Sequence, residues 1–131
     1  MVTSPEHSTL SILVVEDDPG VADLLRQLLN DVEGWGATVV HDAAAARSTF
    51  QQVQIDVLVL DIDLPGISGL ELLELLRQEP GWHDQPVVII SADVRRPGVR
   101  EAIRNEQVTE ALPKPFDVDQ LIRIIQEAAS K

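Results

Sequence analysis

The 131-residue chain contains no cysteine and no tyrosine, and it has only two tryptophans and two phenylalanines. The absence of cysteine excludes disulfide bonds, thiolate nucleophiles and cysteine-ligated zinc sites. Aromatic residues make up 3% of the chain and hydrophobic residues 44%, so the core must be built from aliphatic side chains. The length is that of one ordinary domain, which can bury a core without covalent cross-links.

Positive charge is also scarce. The chain has 10 lysines and arginines but 22 aspartates and glutamates, which gives a formal net charge of −12. Such a charge argues against nucleic acid or an anionic membrane as a direct partner. No apolar run approaches the length of a membrane span, and the N-terminal segment lacks the regions of a signal peptide. We therefore expect a cytoplasmic protein in which residues 1–9 form a flexible leader.

Five aliphatic runs alternate with five helical patterns over residues 10–129. The patterns predict strands at 10–15, 34–40, 55–60, 86–90 and 109–112, and helices at 19–31, 42–52, 68–78, 97–107 and 117–129. Alternating strands and helices imply a parallel sheet with helices on both faces. The sequence therefore predicts a three-layer, doubly wound five-stranded α/β domain.

The aliphatic patterns also predict which side chains face the core. The uninterrupted first, third and fourth strands are expected at the centre of the sheet, with the second and fifth at its edges. Helical spacing predicts that the first helix turns Val21, Leu24, Leu25 and Leu28 toward the core. In the last helix Ile124 falls outside the main apolar stripe, which leaves a face for a partner or a dimer.

Charged and hydroxyl side chains follow the predicted carboxyl ends of four strands. These residues are Glu16, Asp17, Asp18, Asp61, Ser91 and Lys114. Each has an ordinary structural explanation when taken singly, and Asp18 is best explained as a helix cap. Because parallel strands bring their carboxyl ends to one edge, we expect the others to converge there. Several carboxylates in one crevice repel unless a cation lies among them, and oxygen ligands favour a hard ion such as Mg²⁺.

Four segments resemble, in order, the receiver domain of two-component response regulators: ILVVEDDP, VLVLDIDLPGISGLELL, VVIISAD and LPKPFD. The resemblance covers residues 10–129 and implies a flavodoxin-like (CheY-like) fold with strand order 2-1-3-4-5. It further implies a signalling switch that catalyses its own phosphorylation and dephosphorylation, and is not an enzyme acting on metabolites. Asp61 matches the residue that accepts a phosphoryl group from a histidine kinase or a histidine phosphotransfer protein.

The same resemblance assigns the metal ligands. Glu16 and Asp17 match the acidic pair that holds Mg²⁺ together with Asp61. Asp63 matches the position whose backbone carbonyl completes the metal shell. The cofactor implied is thus Mg²⁺, held by oxygen atoms alone.

The resemblance also assigns the switch. Ser91 matches the hydroxyl that moves onto the phosphoryl group, and Lys114 matches the lysine that pairs with it. The family usually has Tyr or Phe three residues before the lysine, where this chain has Ala111, so the output rearrangement is expected to be smaller or built differently. The output partner is not identified by the sequence. We expect a monomer, or a weak dimer through the fourth helix, fifth strand and fifth helix.

Two other functions remain open on the sequence alone. A phosphohydrolase of the haloacid dehalogenase type also ends a strand in Asp-x-Asp, as Asp61-Ile62-Asp63 does here, and also uses Mg²⁺ and a lysine. Its motif normally lies on the first strand, however, and this chain lacks room for a cap domain. A pseudo-receiver that serves only as a docking surface is disfavoured by the complete set of acidic residues, serine and lysine.

Overall fold

The computed structural model describes residues 10–105 and 108–130, in which five strands alternate with five helices. The strands are β1 (Leu10–Val15), β2 (Trp35–Val40), β3 (Val57–Asp61), β4 (Val87–Ser91) and β5 (Glu110–Pro113). The helices are α1 (Pro19–Asn30), α2 (Ala43–Gln52), α3 (Gly69–Leu76), α4 (Pro97–Arg104) and α5 (Val118–Ala129). The predicted leader, residues 1–9, and the predicted end of the fourth helix, residues 106–107, lie outside the described residues.

All strand pairs are parallel, and the sheet has the order β2-β1-β3-β4-β5. This confirms the predicted doubly wound fold, with β1, β3 and β4 at the centre. Every residue of β3 and β4 is buried, as expected for central strands covered on both faces. No helix among the described residues has the length and apolar character needed to cross a membrane.

Because successive side chains of a strand point to opposite faces, the central strands supply two separate apolar clusters. Leu13, Leu58 and Ile89 face the side that α2, α3 and α4 cover. Ile12, Val59 and Ile90 face the side that α1 and α5 cover. The three layers therefore rest on aliphatic packing, and a rigid sheet carries the polar residues at its carboxyl edge.

Side-chain caps fix where the helices begin. The Asp18 carboxylate accepts hydrogen bonds from the backbone N–H groups of Gly20 and Val21, at 2.9 and 3.2 Å. Asp42 caps α2 in the same way, since its carboxylate accepts from the Ala45 N–H at 2.8 Å. The Asp18 cap confirms the prediction. Since Asp18 starts α1 directly after the acidic pair, the loop between β1 and α1 is short.

One predicted side-chain placement is wrong. Leu24 is 46% exposed. The residues of α1 that are buried against the sheet are Ala22, Leu25 and Leu29. Because successive helix residues are rotated by about 100°, Leu24 points away from Leu25 and from the sheet. Ile124 lies outside the buried stripe of α5, as predicted, but it is partly buried and packs against the cluster of the α1–α5 side. It lies three residues after Leu121, at the border of the buried stripe of α5, where a helix covering a sheet still makes contact.

Candidate functional site

The register of the sheet brings four strand ends to one edge. Val15 pairs with Leu60, Asp61 with Ile90, and Ser91 with Pro113. Asp61 and Ser91 are the last residues of their strands, whereas Glu16 and Lys114 are the first residues after theirs. The predicted site residues therefore meet at the carboxyl edge, although they are spread over about a hundred positions of the chain.

Asp61 is buried, with 1% of its surface exposed, and both of its carboxylate oxygens are paired. Oδ2 accepts a hydrogen bond from Lys114 Nζ at 2.8 Å. Oδ1 accepts one from the backbone N–H of Asp63 at 2.8 Å. A buried carboxylate is costly unless it is paired in this way. These two contacts fix the orientation of Asp61 at the end of β3.

Lys114 is the cation of the site. Its backbone N–H donates to the Ser91 carbonyl at 2.8 Å, which places the residue at the end of the β4–β5 ladder. Its Nζ lies 3.6 Å from Glu16 Oε1, in addition to its contact with Asp61. Burial alone would lower the pKa of Lys114, but the hydrogen bond and charge of Asp61 and the charge of Glu16 outweigh it and raise that pKa. Lys114 is therefore positively charged.

Glu16 is the second buried carboxylate of the site, with 1% of its surface exposed. Its Oε2 accepts a hydrogen bond from the Asp18 N–H at 3.1 Å, and its buried Oε1 has no hydrogen-bond partner among the described residues. Burial is the main reason that the pKa of Glu16 is raised to about 7. The nearby Asp61 carboxylate raises this pKa further, whereas the Asp18 N–H and the charge of Lys114 lower it. An unpartnered carboxylate oxygen beside a second buried carboxylate is an arrangement that a cation would relieve.

The residues present fit a divalent metal ion. Glu16, Asp17 and Asp61 each offer one carboxylate oxygen, and these oxygens lie within 4.8 Å of one another. Glu16 and Asp61 are buried and Asp17 is exposed, so the cluster opens to solvent on one side. Three carboxylates without a nitrogen or sulfur ligand suit a hard cation such as Mg²⁺. The Asp63 backbone lies beside the cluster through its N–H contact with Asp61.

Ser91 lies at the same edge and is fully buried. Its Oγ accepts a hydrogen bond from the Asp93 N–H at 3.1 Å, so the hydroxyl is engaged by the loop that follows β4. The structure therefore brings Ser91 to the site with its hydroxyl held by that loop.

The sequence gives no sign that one further residue, Arg96, belongs to the site. The Arg96 guanidinium donates a hydrogen bond to Asp63 Oδ1 at 2.9 Å. The Ala92 N–H donates one to Asp63 Oδ2 at 3.0 Å. The Ala92 N–H, and after it the Arg96 guanidinium, hold the pKa of Asp63 below its usual range. Asp63 and Arg96 are 33 positions apart and belong to different loops, so no spacing pattern could have paired them.

Comparison with known proteins gives matches along almost the whole chain. The profile of the family described as response regulator receiver domain matches residues 12–126. An uncharacterized 14.6 kDa protein of Leptolyngbya boryana is 36% identical over 118 residues, which cover 90% of this chain and 88% of that protein. The transcriptional regulatory protein TrcR of Mycobacterium tuberculosis is 32% identical over 119 residues, covering 89% of this chain but only 44% of TrcR.

A solved structure shares the fold. The response regulator protein TrrA of Thermotoga maritima, crystallised with Mg²⁺ and beryllium fluoride, superposes with a TM-score of 0.73 at 28% identity. The alignment covers 92% of this chain and 99% of TrrA. The chain thus spans almost the whole of the solved TrrA chain, but less than half the length of TrcR.

Proposed function

This chain belongs to the response regulator receiver domain family of two-component systems, and from that premise we propose that Asp61 is the residue that accepts the phosphoryl group. The proposed donor is a phosphohistidine on a histidine kinase or a histidine phosphotransfer protein. One observation carries the proposal: a buried carboxylate ends a central strand, 2.8 Å from a lysine ammonium and next to an acidic cluster that fits a metal ion.

The proposed reaction needs charge compensation more than it needs an acid or a base. An oxygen of Asp61 forms a bond to phosphorus while the phosphorus–nitrogen bond of the donor breaks and the histidine leaves with that electron pair. The attacking carboxylate and the phosphoryl group are both anionic and repel each other. The Lys114 ammonium already contacts Asp61 before the reaction. Its positive charge can therefore stabilise the reacting groups without any movement of the lysine side chain.

We propose that Mg²⁺ is held by the side chains of Glu16, Asp17 and Asp61 and by the backbone carbonyl of Asp63. When bound, the ion neutralises negative charge between the carboxylate and the incoming phosphoryl oxygens. Glu16 Oε1 supports this assignment, because among the described residues this buried oxygen accepts no hydrogen bond and lies 3.6 Å from its nearest cation, Lys114 Nζ. Glu16 has to lose its proton before it can bind the ion.

For the switch, we propose that the Ser91 hydroxyl gives up its contact with the Asp93 N–H and bonds a phosphoryl oxygen. The movement would change the surface made by α4, β5 and α5, where the chain would bind its output partner or form a weak dimer. Ile103 on α4 supports this location, since it is 39% exposed. Ala111 is partly buried against the core, in keeping with a smaller rearrangement than an aromatic residue would give.

For the whole chain, we propose a receiver domain over residues 10–129, with residues 1–9 as a leader. We also propose that the protein is located in the cytoplasm. A net charge of −12 supports a chain that makes no direct contact with nucleic acid. The domain itself would supply the groups for its phosphorylation and dephosphorylation, without acting on metabolites.

The proposal is tested by the mass of the intact protein after incubation with acetyl phosphate and Mg²⁺. We expect one labile phosphoryl adduct, and we expect none in the Asp61→Asn variant or in the presence of a chelator. The absence of an adduct under every condition would favour a protein that only docks. Continuous hydrolysis of p-nitrophenyl phosphate would favour a phosphohydrolase instead.

A further inference from the structure

The Asp63 side chain joins two loops at the mouth of the site. Asp63 lies in the loop between β3 and α3, two residues after Asp61. Its partners, the Ala92 N–H and the Arg96 guanidinium, both belong to the segment between β4 and α4. We call this set of contacts, made by Asp63 with Ala92 and Arg96, the Asp63 bridge.

The bridge is a partly exposed ion pair with short hydrogen bonds. The Asp63 side chain is 28% exposed and that of Arg96 46%, and each carboxylate oxygen accepts its own hydrogen bond at 2.9–3.0 Å. Charge-assisted bonds at such distances are the stronger kind. The lowered pKa of Asp63, due first to the Ala92 N–H and then to Arg96, agrees with a carboxylate that is ionised in the folded protein.

The two partners of Asp63 mark both ends of the segment that would move in the switch. Ala92 directly follows Ser91, whose hydroxyl is expected to shift. Arg96 is the N-cap residue directly before α4, and its side chain makes no capping bond to the helix. The Asp63 bridge therefore fixes the start and the end of residues 92–96 to the loop that follows the phosphoryl acceptor.

We propose that the Asp63 bridge restrains the segment between β4 and α4 in its unphosphorylated position and has to open when the switch operates. Arg96 is in this view a positioning residue that acts through Asp63 and does not touch the phosphoryl group. The inference rests on the proposed function, because it concerns the rearrangement that follows phosphorylation of Asp61.

A contact that exists in only one of two states shifts the equilibrium between them by its own free energy. Removing the bridge should therefore favour the rearranged state and tighten the binding of a phosphoryl analogue that selects it. Because an ion pair of this exposure contributes little, we expect about two- to five-fold tighter binding of beryllofluoride.

The variant that isolates the bridge is the double substitution Asp63→Ala with Arg96→Gln, because an asparagine oxygen would still accept the hydrogen bond from the Ala92 N–H. It removes one negative and one positive charge, so the net charge near the site is unchanged. The matched control is Asp93→Ala with Arg95→Gln. Asp93 and Arg95 carry the same charges as the bridge residues, and Arg95 Nε lies 3.8 Å from Asp93 Oδ1. Their side chains are more exposed, 52% for Asp93 and 90% for Arg95. Both residues lie in the segment between β4 and α4, so their contact does not join two loops.

Two measurements test the inference. In the metal-free, unphosphorylated protein, hydrogen exchange of the Ala92 amide should be faster in the bridge variant than in the wild type and unchanged in the control. At saturating Mg²⁺, titration with beryllofluoride should give the tighter binding in the bridge variant alone. The single variant Arg96→Lys keeps the charge and should retain part of the protection of the Ala92 amide.

An Ala92 amide that exchanges at the wild-type rate in the bridge variant would overturn the inference. Unchanged or weaker beryllofluoride binding in that variant would also overturn it, since the bridge would then not oppose the rearrangement. A wild-type protein that binds no beryllofluoride at all would contradict the proposed function instead. The amide exchange, which needs neither metal nor phosphoryl analogue, separates these two failures.

Discussion

The Lys114 ammonium lies 2.8 Å from the Asp61 carboxylate, across 53 positions of sequence. Asp61 ends β3 and Lys114 follows β5, so the lysine side chain reaches across β4 to make the contact. The same ammonium lies 3.6 Å from Glu16. One cation thus compensates two buried carboxylates in the metal-free protein, and the stability of the site depends on both the lysine and any bound metal.

Replacing Lys114 by methionine should destabilise the metal-free protein at pH 8. Asp61 and Glu16 would then be left buried without a cation, which costs about 1–3 kcal/mol. Added Mg²⁺ should restore part of the loss. Urea unfolding with a chelator and with Mg²⁺ measures both effects.

Arg26→Met is the control. The ion pair of Arg26 with Asp23 is exposed, so its loss should change the free energy of unfolding by no more than about 0.5 kcal/mol. Equal effects of the two substitutions would contradict the account.

Asp17→Asn should weaken Mg²⁺ binding by about tenfold or more, because it removes a charged oxygen ligand from the cluster. Asp17 is exposed, so the stability of the metal-free protein should change by less than about 0.5 kcal/mol. Calorimetric titration with Mg²⁺ measures the affinity, and Asp23→Asn on α1 controls for the loss of one surface charge. An unchanged affinity in Asp17→Asn would remove this residue from the metal site.

The stability of the metal-free protein should fall as the pH rises from about 5 to about 8. Folding raises the pKa of Glu16 from 4.5 to about 7, so between these values the folded state binds a proton that the unfolded state has lost. The stability that this proton contributes is complete below the unfolded pKa and is lost as the pH passes the folded one. Allowing for solvent screening, the loss is on the order of 1–2 kcal/mol.

Unfolding midpoints in chelator at several pH values measure this dependence. Glu16→Gln should flatten the curve and stabilise the metal-free protein at pH 8, whereas Glu74→Gln on the exposed side of α3 should leave the slope as it is. A Glu16→Gln curve parallel to that of the wild type would show that Glu16 does not carry the buried proton.

Gly69→Ala should distort the segment that carries Asp61. A Cβ built on Gly69 would lie 2.5 Å from the Asp61 carbonyl oxygen and 2.7 Å from the Ile62 Cα, so α3 and the end of β3 would have to separate. Overpacking of this kind costs about 1–3 kcal/mol, and Mg²⁺ affinity should fall with it. Gly20→Ala is the matched control, since its Cβ would meet only Asp18 Oδ1 at 3.4 Å. Chemical denaturation compares the two, and a Gly69→Ala protein as stable as the wild type would contradict the packing described.

Much of the fold and the core of the site follow from the sequence. Buried aliphatic strands and helical spacing predict the alternating elements, and parallel strands bring their carboxyl ends together. That geometry alone predicts that Glu16, Asp61 and Lys114 meet, before any distance is known. The Asp18 cap is predictable too, because a capping aspartate interacts only with the residues directly after it.

The remaining features depend on tertiary packing that no local pattern contains. Leu24 fits a helical stripe as well as Leu25 does, and only the angle at which α1 lies on the sheet decides which of them is buried. The packing of α5 on the sheet likewise decides that Ile124 is partly buried. The contact of Arg96 with Asp63 depends on how two loops approach each other, and loop geometry leaves no period in the sequence.

The identity of the phosphoryl acceptor is tested most directly by chemical trapping. After incubation with acetyl phosphate and Mg²⁺, borohydride reduces an aspartyl phosphate to homoserine, and peptide mass spectrometry locates the converted residue. We expect conversion at Asp61 alone, and none when the metal is chelated. Conversion at Asp17 or Asp63, with Asp61 unchanged, would contradict it.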